Sequence, residues 1–174
     1  VGVGVGSGEC ALIEAAYGPE HPDLAIPLTN LGFVFERRDQ PKKALELYMR
    51  ALALEEAAKG VDSSGVAPRC LNVGNMLGSM GDLEGARRYW DRALRAVEKE
   101  HGRKHPEALS ALANIATSYA MEGKLDLAER GFQEVLSLRE SMLGSEHPGL
   151  ISALTNLGEI HRMQRKHAAA CSYY

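Results

Sequence analysis

His101 and His105 stand four positions apart, the spacing at which two imidazoles on one helix face can share a zinc ion. Gly102 and Pro106 lie among them, so the stretch reads as a turn, and zinc needs more convergent ligands than two. The opening "VGVGVGSGE" is glycine-rich but lacks the GK[ST] ending through which a phosphate-binding loop holds its anion and Mg²⁺. Tyr89 and Trp90 offer a stacking surface for a base, yet single-strand binding also wants a basic track, and none accompanies them. Cys10, Cys70 and Cys171 are odd in number and far apart, which fits neither a disulfide framework nor a zinc knuckle. No G-x-S-x-G, no H-E-x-x-H and no recurring carboxylate pair is present. No catalytic residue, cofactor or metal ligand is therefore assigned. What remains is a column of amides, Asn30, Asn72, Asn114 and Asn156, each able to donate and accept a hydrogen bond.

Those four asparagines are separated by 42 residues, and the interval runs through the whole chain. Gly32, Gly74, Ala116 and Gly158 follow two positions later. Ala44, Ala86, Ala128 and Ala170 fall in the same register, with the aromatics Tyr48, Trp90, Phe132 and Tyr174 four positions further on. His-Pro pairs at 21, 105 and 147 also keep the period, whereas the second copy has Ser63-Ser64, which predicts a looser turn before it. The near-duplicate phrases "PEHPDLAIPLTNLG" and "SEHPGLISALTNLG" are two occurrences of this unit.

Each copy contains two helical stretches broken by a turn signal, "RRDQP", "MGD", "EGK" or "QRK". Leu24, Leu28, Leu31 and Phe35 form an apolar stripe along the first stretch of copy one, as do Ala108, Leu112, Ile115 and Tyr119 in copy three. In the second stretch Ala44, Tyr48, Ala51 and Leu52 present a matching face, repeated by Ala86, Trp90, Ala93 and Leu94. Pro27 and Pro68 are tolerated only in a first turn, which sets the expected helix starts near Ile26 and Ala67. The His-Pro pairs start helices, with the histidine capping or packing. A single hairpin cannot bury such a face alone, so the hairpins must stack. The expected fold is all-α, with residues 1–16 as a flexible lead-in and the end of a preceding repeat helix. Repeats then occupy 17–60, 61–102 and 103–144, followed by an incomplete fourth at 145–174. Because the pattern breaks off inside a hairpin, the chain reads as a piece of a longer protein.

The stretch "HPEALSALANIATSYAMEGKLDLAERGFQEVLSLRESMLG", with its HP opening, Asn114, Tyr119, Gly123, Ala128 and Phe132, resembles a tetratricopeptide repeat of the kinesin light chain type. The similarity runs from residue 17 to 174, and a period of 42 instead of 34 marks the longer-helix variety. The resemblance implies a right-handed α-solenoid of antiparallel helix hairpins, whose first helices line a concave groove that accepts peptide segments.

Opposite the apolar stripes lie Ile26, Asn30, Phe33 and Arg37 in copy one, and Pro68, Asn72, Asn75 and Ser79 in copy two. Ser110, Asn114, Thr117 and Met121 continue this face in copy three, then Ser152, Asn156, Glu159 and Met163 in copy four. The groove set is Asn30, Phe33, Arg37, Arg69, Asn72, Asn75, Asn114, Thr117 and Asn156, with Arg37 and Arg69 favouring an acidic peptide. The asparagines have a second reading, as ties between neighbouring repeats. The leading expectation is a non-catalytic protein-interaction scaffold. Its alternatives are a structural subunit docked by its ends or by outward residues such as Arg87, Arg88 and Glu129, and a regulatory arm of a larger multidomain protein.

Composition agrees with a folded helical chain, at 45% hydrophobic, 25% charged and 6% aromatic residues. A formal charge of −3 gives no drive toward nucleic acid or an acidic membrane, although Arg162 to Lys166 is locally basic. No apolar run is long enough to span a bilayer, so no membrane insertion is expected. Reduced cysteines fit an intracellular reducing compartment, cytoplasmic or cytoskeletal first and an organelle as the alternative.

Overall fold

A computed structural model describes residues 3–173, with side chains from residue 8 onward, and the fold it shows is all-α. The helices are α1 (Val3–Tyr17), α2 (Ala25–Glu36), α3 (Pro41–Lys59), α4 (Ala67–Ser79), α5 (Leu83–His101), α6 (Pro106–Met121), α7 (Leu125–Leu143), α8 (Ile151–Met163) and α9 (His167–Cys171). The helix α1 covers most of the stretch 1–16 expected as a flexible lead-in and the end of a preceding repeat helix, and Tyr174 of the aromatic column lies outside the described residues. Among the described residues there is no strand, and no helix is long and apolar enough to cross a membrane. The chain divides into two compact units, residues 1–96 and 97–174, with the boundary inside α5. In the first unit α1 packs on α2, α2 on α3 and α3 on α4; in the second α6 packs on α7, α7 on α8 and α8 on α9.

Local chemistry decides where each helix starts. His21 Nδ1 accepts the Asp23 N–H at 3.3 Å, His105 Nδ1 the Glu107 N–H at 3.4 Å and His147 Nδ1 the Gly149 N–H at 2.9 Å. In copy two, Ser63 Oγ accepts the Gly65 N–H at 3.2 Å. The same orphan donor of a helical first turn is satisfied by an imidazole in three copies and a hydroxyl in the fourth. The turn before copy two is accordingly not loosened: Ser63 (φ −72°, ψ 141°) has nearly the backbone of His21 (φ −70°, ψ 131°), and each leads into a short 3₁₀ turn, Ser64–Val66 or Pro22–Leu24. The α-helices α2 and α4 begin at Ala25 and Ala67, which puts Pro27 and Pro68 in first turns, as their missing N–H requires. His105 spends its Nδ1 on the cap, and its ring stacks on His101 with centroids 5.1 Å apart.

Helix ends follow the same register. Gly18, Gly60, Gly102 and Gly144 all have φ between 79° and 89°, the left-handed conformation that stops a helix and that glycine adopts without strain. The hairpin turns carry a second left-handed position, filled by Asp39, Gly81, Gly123 and Arg165.

The expected stripes form the core. Leu24, Leu28, Ala51 and Leu54 cluster with Cys10 and Ala25 in the first unit, while Ala116, Ala128, Phe132, Leu157 and Ile160 cluster in the second. Ala44, Ala86, Ala128 and Ala170 are all buried, as are Tyr48, Trp90 and Phe132. Leu31, Phe35, Ile115 and Tyr119 are half-buried at the edges of their stripes. An alanine beside an aromatic works because the facing first helix is also small. A Cβ on Gly32 would stand 2.6 Å from the Tyr48 ring, and one on Gly74 2.6 Å from Trp90 Nε1. Each ring then finds a polar partner at its tip: Tyr48 Oη donates to Glu36 at 2.7 Å and Trp90 Nε1 to Asn75 Oδ1 at 2.9 Å. Burial and the Glu36 carboxylate raise the Tyr48 pKa, so its phenol stays protonated.

Charged ties join successive helical layers. Arg50 reaches Glu14 at 2.6 Å and the Pro19 carbonyl at 2.9 Å; 42 residues on, Arg92 reaches Glu56 at 2.5 Å and the Val61 carbonyl at 2.8 Å. In the second unit the signs change places. Arg103 sits at the register of Pro19 and Val61 and binds Glu98 at 2.5 Å and Glu134 at 2.6 Å, Glu134 occupying the register of Arg50 and Arg92.

Candidate functional site

The nine residues assigned to the groove fall into different environments. Phe33 is exposed on α2 and Arg37 just past its end, with the guanidinium 5.9 Å above the ring centroid, and Asn30 is exposed about one turn before Phe33. On α4, Asn72 is half-buried, and Asn75, though exposed, gives its Oδ1 to Trp90. Arg69 is only 15% exposed at its side chain and lies 2.8 Å from Glu55, whose other oxygen takes Lys59 Nζ at 2.7 Å. The Arg69 Nε and Glu55 Oε2 atoms are close but not aligned as a hydrogen bond, so their attraction is that of an ion pair in a tight, nearly dry space. Removing the guanidinium would leave the Glu55 carboxylate buried with one cation fewer. Arg69 and Asn75 thus each have a packing task that spacing alone did not reveal. The signal for Arg69 was available in Glu55 and Lys59, four apart on the last turns of α3.

In the second unit the face comes together. Thr117 and Met121 of α6 and Asn156, Glu159 and Met163 of α8 line one pocket of about 240 Å³, floored by Phe132 and Ile160. The helices bring them there because α6 and α8 both pack on α7 through their opposite stripes, leaving positions 117, 121, 156 and 163 turned away from the core. Met121 is 65% exposed and Met163 44%, so two unbranched thioethers flank an apolar floor. Such side chains fit themselves to differently shaped guests. Thr117 Oγ1 donates to the Ala113 carbonyl at 2.9 Å. Glu159 holds Arg162 through two hydrogen bonds, which lower its pKa and keep it ionised. Asn114 is half-buried one turn earlier on α6. Composition of the pocket suits an apolar side chain, with the Asn156 amide at its edge able to meet a peptide group.

Glu129, expected to point outward, instead faces α8. Gln164 Nε2 donates to it at 2.9 Å, with His161 and Lys166 each 3.7 Å away. The Gln164 hydrogen bond, with Lys166 and His161 adding to it, holds the Glu129 pKa below its usual 4.5. Arg88 does point outward and pairs with Glu84 at 2.6 Å on the same helix. Cys70 is buried, its thiol pushed up to about 11, and Cys10 is raised in the same direction by burial, so both thiols stay protonated and unreactive. Among the described residues no three His, Cys, Asp or Glu side chains converge as metal ligands would.

The backbone is similar to several solved structures. BtubC (BKLC) from P. vanneervenii matches with a TM-score of 0.78 and 21% identity over 87% of this chain; the chain spans 61% of that protein. The putative kinesin light chain of Podosopora anserina, described as having nearly identical TPR-like repeats, matches with a TM-score of 0.82 and 17% identity, covering 98% of this chain and 81% of that one. MamA matches with a TM-score of 0.64 and 17% identity, covering 94% and 79%. At these identities the likeness is one of fold. No curated protein matches the chain. The tetratricopeptide repeat pattern itself matches residues 11–57, 69–141 and 110–174, nearly the full length. Repeats of this kind form a scaffold fold typical of protein–protein interaction and generally without catalysis. By these matches, and by helices that start, stop and pack on one register, the chain belongs to the tetratricopeptide repeat family.

Proposed function

We propose that the chain is a protein-interaction module whose first helices take up peptide segments of a partner, each repeat as divided above supplying one rung. The observation that carries this reading is the pocket between α6 and α8. Thr117 and Asn156 are placed on one face by register alone, and both line it together with two exposed methionines. A peptide lying across the helices sets one apolar side chain over Phe132 and Ile160 and meets the Asn156 amide with its backbone. Recognition of this kind requires no fixed partner sequence beyond the apolar anchor. The engaged side chains of Arg69 and Asn75 favour the other reading for α4, a face used to hold the stack.

The test is a peptide-display selection against the folded chain, followed by affinity measurement on the variants Asn156→Arg and Thr117→Arg. Selected peptides should share an apolar anchor and bind either variant about tenfold or more weakly, the scale on which disrupting a central interface residue acts, with the melting temperature unchanged. Selected peptides that bind both variants undiminished would reject the pocket and leave docking through outward faces as the better account.

A further inference from the structure

The turn between α2 and α3 carries a positive charge that the turns between α4 and α5 and between α6 and α7 do not. Residues 37–43, "RRDQPKK", hold four basic side chains against the single acid Asp39, in a chain whose formal charge is −3. The corresponding segments 79–85 and 121–127, "SMGDLEG" and "MEGKLDL", contain Asp82 and Glu84, and Glu122, Lys124 and Asp126. Those two hairpins therefore close without such a cluster; the fourth turn, 163–169, "MQRKHAA", is basic as well, but its Lys166 lies 3.7 Å from Glu129. Arg37, Arg38, Lys42 and Lys43 are all exposed, and none has a carboxylate partner among the described residues. In contrast Arg50, Arg69, Arg88, Arg92 and Arg103 each sit within 2.8 Å of one.

Helix electrostatics explains half of the cluster and opposes the other half. Arg37 and Arg38 follow the C-terminal end of α2, where cations are favoured. Lys42 and Lys43 lie in the first turn of α3, the positive end, where α5 and α7 place Glu84 and Asp126. Two aromatic faces then hold the outer cations in place: Arg37 over Phe33 at 5.9 Å and Lys43 Nζ over Phe35 at 5.4 Å. Glu36, the nearest acid on α2, is engaged by the Tyr48 hydroxyl at 2.7 Å. Arg38 and Lys42 are left exposed, and Phe33, which carries Arg37 over its ring, is itself 53% exposed.

We infer that this turn docks an acidic segment of a protein partner, with carboxylates received by Arg38 and Lys42 and an apolar side chain lying against Phe33. It differs from the pocket on the α6–α8 face in location and in charge, and it does not depend on that pocket being a site. The patch is short and the chain is acidic as a whole, unlike the extended basic track of a nucleic-acid binder. The turn's tip carries Asp39 and Gln40, with no apolar side chain to enter a bilayer.

The full chain would be titrated, by fluorescence anisotropy, against a labelled peptide that alternates Glu and Ser around one Phe, with single-stranded DNA and phosphatidylserine vesicles as the competing probes. The expected result is saturable, salt-sensitive peptide binding that falls by about tenfold or more in R38E/K42E/K43E and survives in N114A/N156A, as befits charge-steered association. R38Q/K42Q/K43Q is measured alongside and serves if the charge reversal alters the helical circular-dichroism signal. Absence of peptide binding, or binding indifferent to these variants, overturns the inference. Tighter binding of DNA or vesicles, abolished in the same variants, overturns it in favour of that ligand.

Discussion

The hairpins α2–α3 and α4–α5 solve one packing problem with the small residue on one helix, and the hairpin α6–α7 solves it with the small residue on the other. In the former two, Gly32 and Gly74 on the first helices make room for Tyr48 and Trp90; in α6–α7, Ala116 replaces that glycine, and the relief comes from Gly131 on α7, where a Cβ would stand 2.8 Å from the Ala116 Cβ, while α8 keeps the glycine as Gly158. The registers of Gly131 in the earlier copies hold Leu47 and Tyr89, so the exchange is local to this hairpin. Charge shows the same freedom, with arginine on α3 and α5 in one unit and glutamate on α7 in the other. What the repeat maintains is an interhelix distance and a paired charge; the residue type at any one position is secondary.

The largest test of that comparison removes the aromatic. Trp90→Ala and Phe132→Ala should each cost about 3–5 kcal/mol in denaturant unfolding, with Trp90→Ala toward the upper end because it also removes the hydrogen bond to Asn75. Equal and small losses would mean that the rings are not the filling of the hairpins. Next comes the glycine. Gly74→Ala should destabilise by about 1–3 kcal/mol, offset in part by a gain of up to about 1 kcal/mol in helix propensity. Gly131→Ala should be rescued by a simultaneous Ala116→Gly, which moves the small residue back to the first helix. A rescue that fails would show that the two arrangements are not interchangeable solutions.

Smaller effects come from the charges. The Arg103–Glu134 pair is about two-fifths exposed, so a double-mutant cycle with Arg103→Ala and Glu134→Ala should return about 0.2–1 kcal/mol, and the double exchange Arg103→Glu/Glu134→Arg should return less, since Glu98 then faces a like charge. The Glu129 carboxylate, held below its usual value by Gln164, contributes stability that is present above the unfolded pKa near 4.5 and is lost as pH falls through the lower folded value. The melting temperature should therefore drop on acidification below about pH 4.5, and drop less steeply in Glu129→Gln. Equal slopes for the two proteins would remove Glu129 from the account.

Much of this was readable beforehand wherever a residue acts through its immediate neighbours. Ala44, Ala86 and Ala128 are buried beside Tyr48, Trp90 and Phe132 because a spacing of four on a helix puts two side chains on one face whatever surrounds them. Pro27 and Pro68 set helix starts through their own missing N–H, a property of the residue alone. Ser63 is unlike histidine in type, yet the cap needs only an acceptor at that point, which its hydroxyl supplies. The face residues were harder. Thr117 and Asn156 meet in one pocket, but Arg69 turned to Glu55 and Asn75 to Trp90, partners on other helices that no spacing within α4 can specify.

Periodicity by itself determined the all-α class, the hairpin order and the buried faces, because these depend on 3.6-residue geometry and on glycine and proline acting locally. Which polar side chains on the remaining faces are consumed in packing, and which are left to meet a partner, depended on helices distant in sequence coming within hydrogen-bonding reach. Only the tertiary structure decided that, since a guanidinium or an amide bonds to whatever charge or dipole the folded chain brings within about 3 Å.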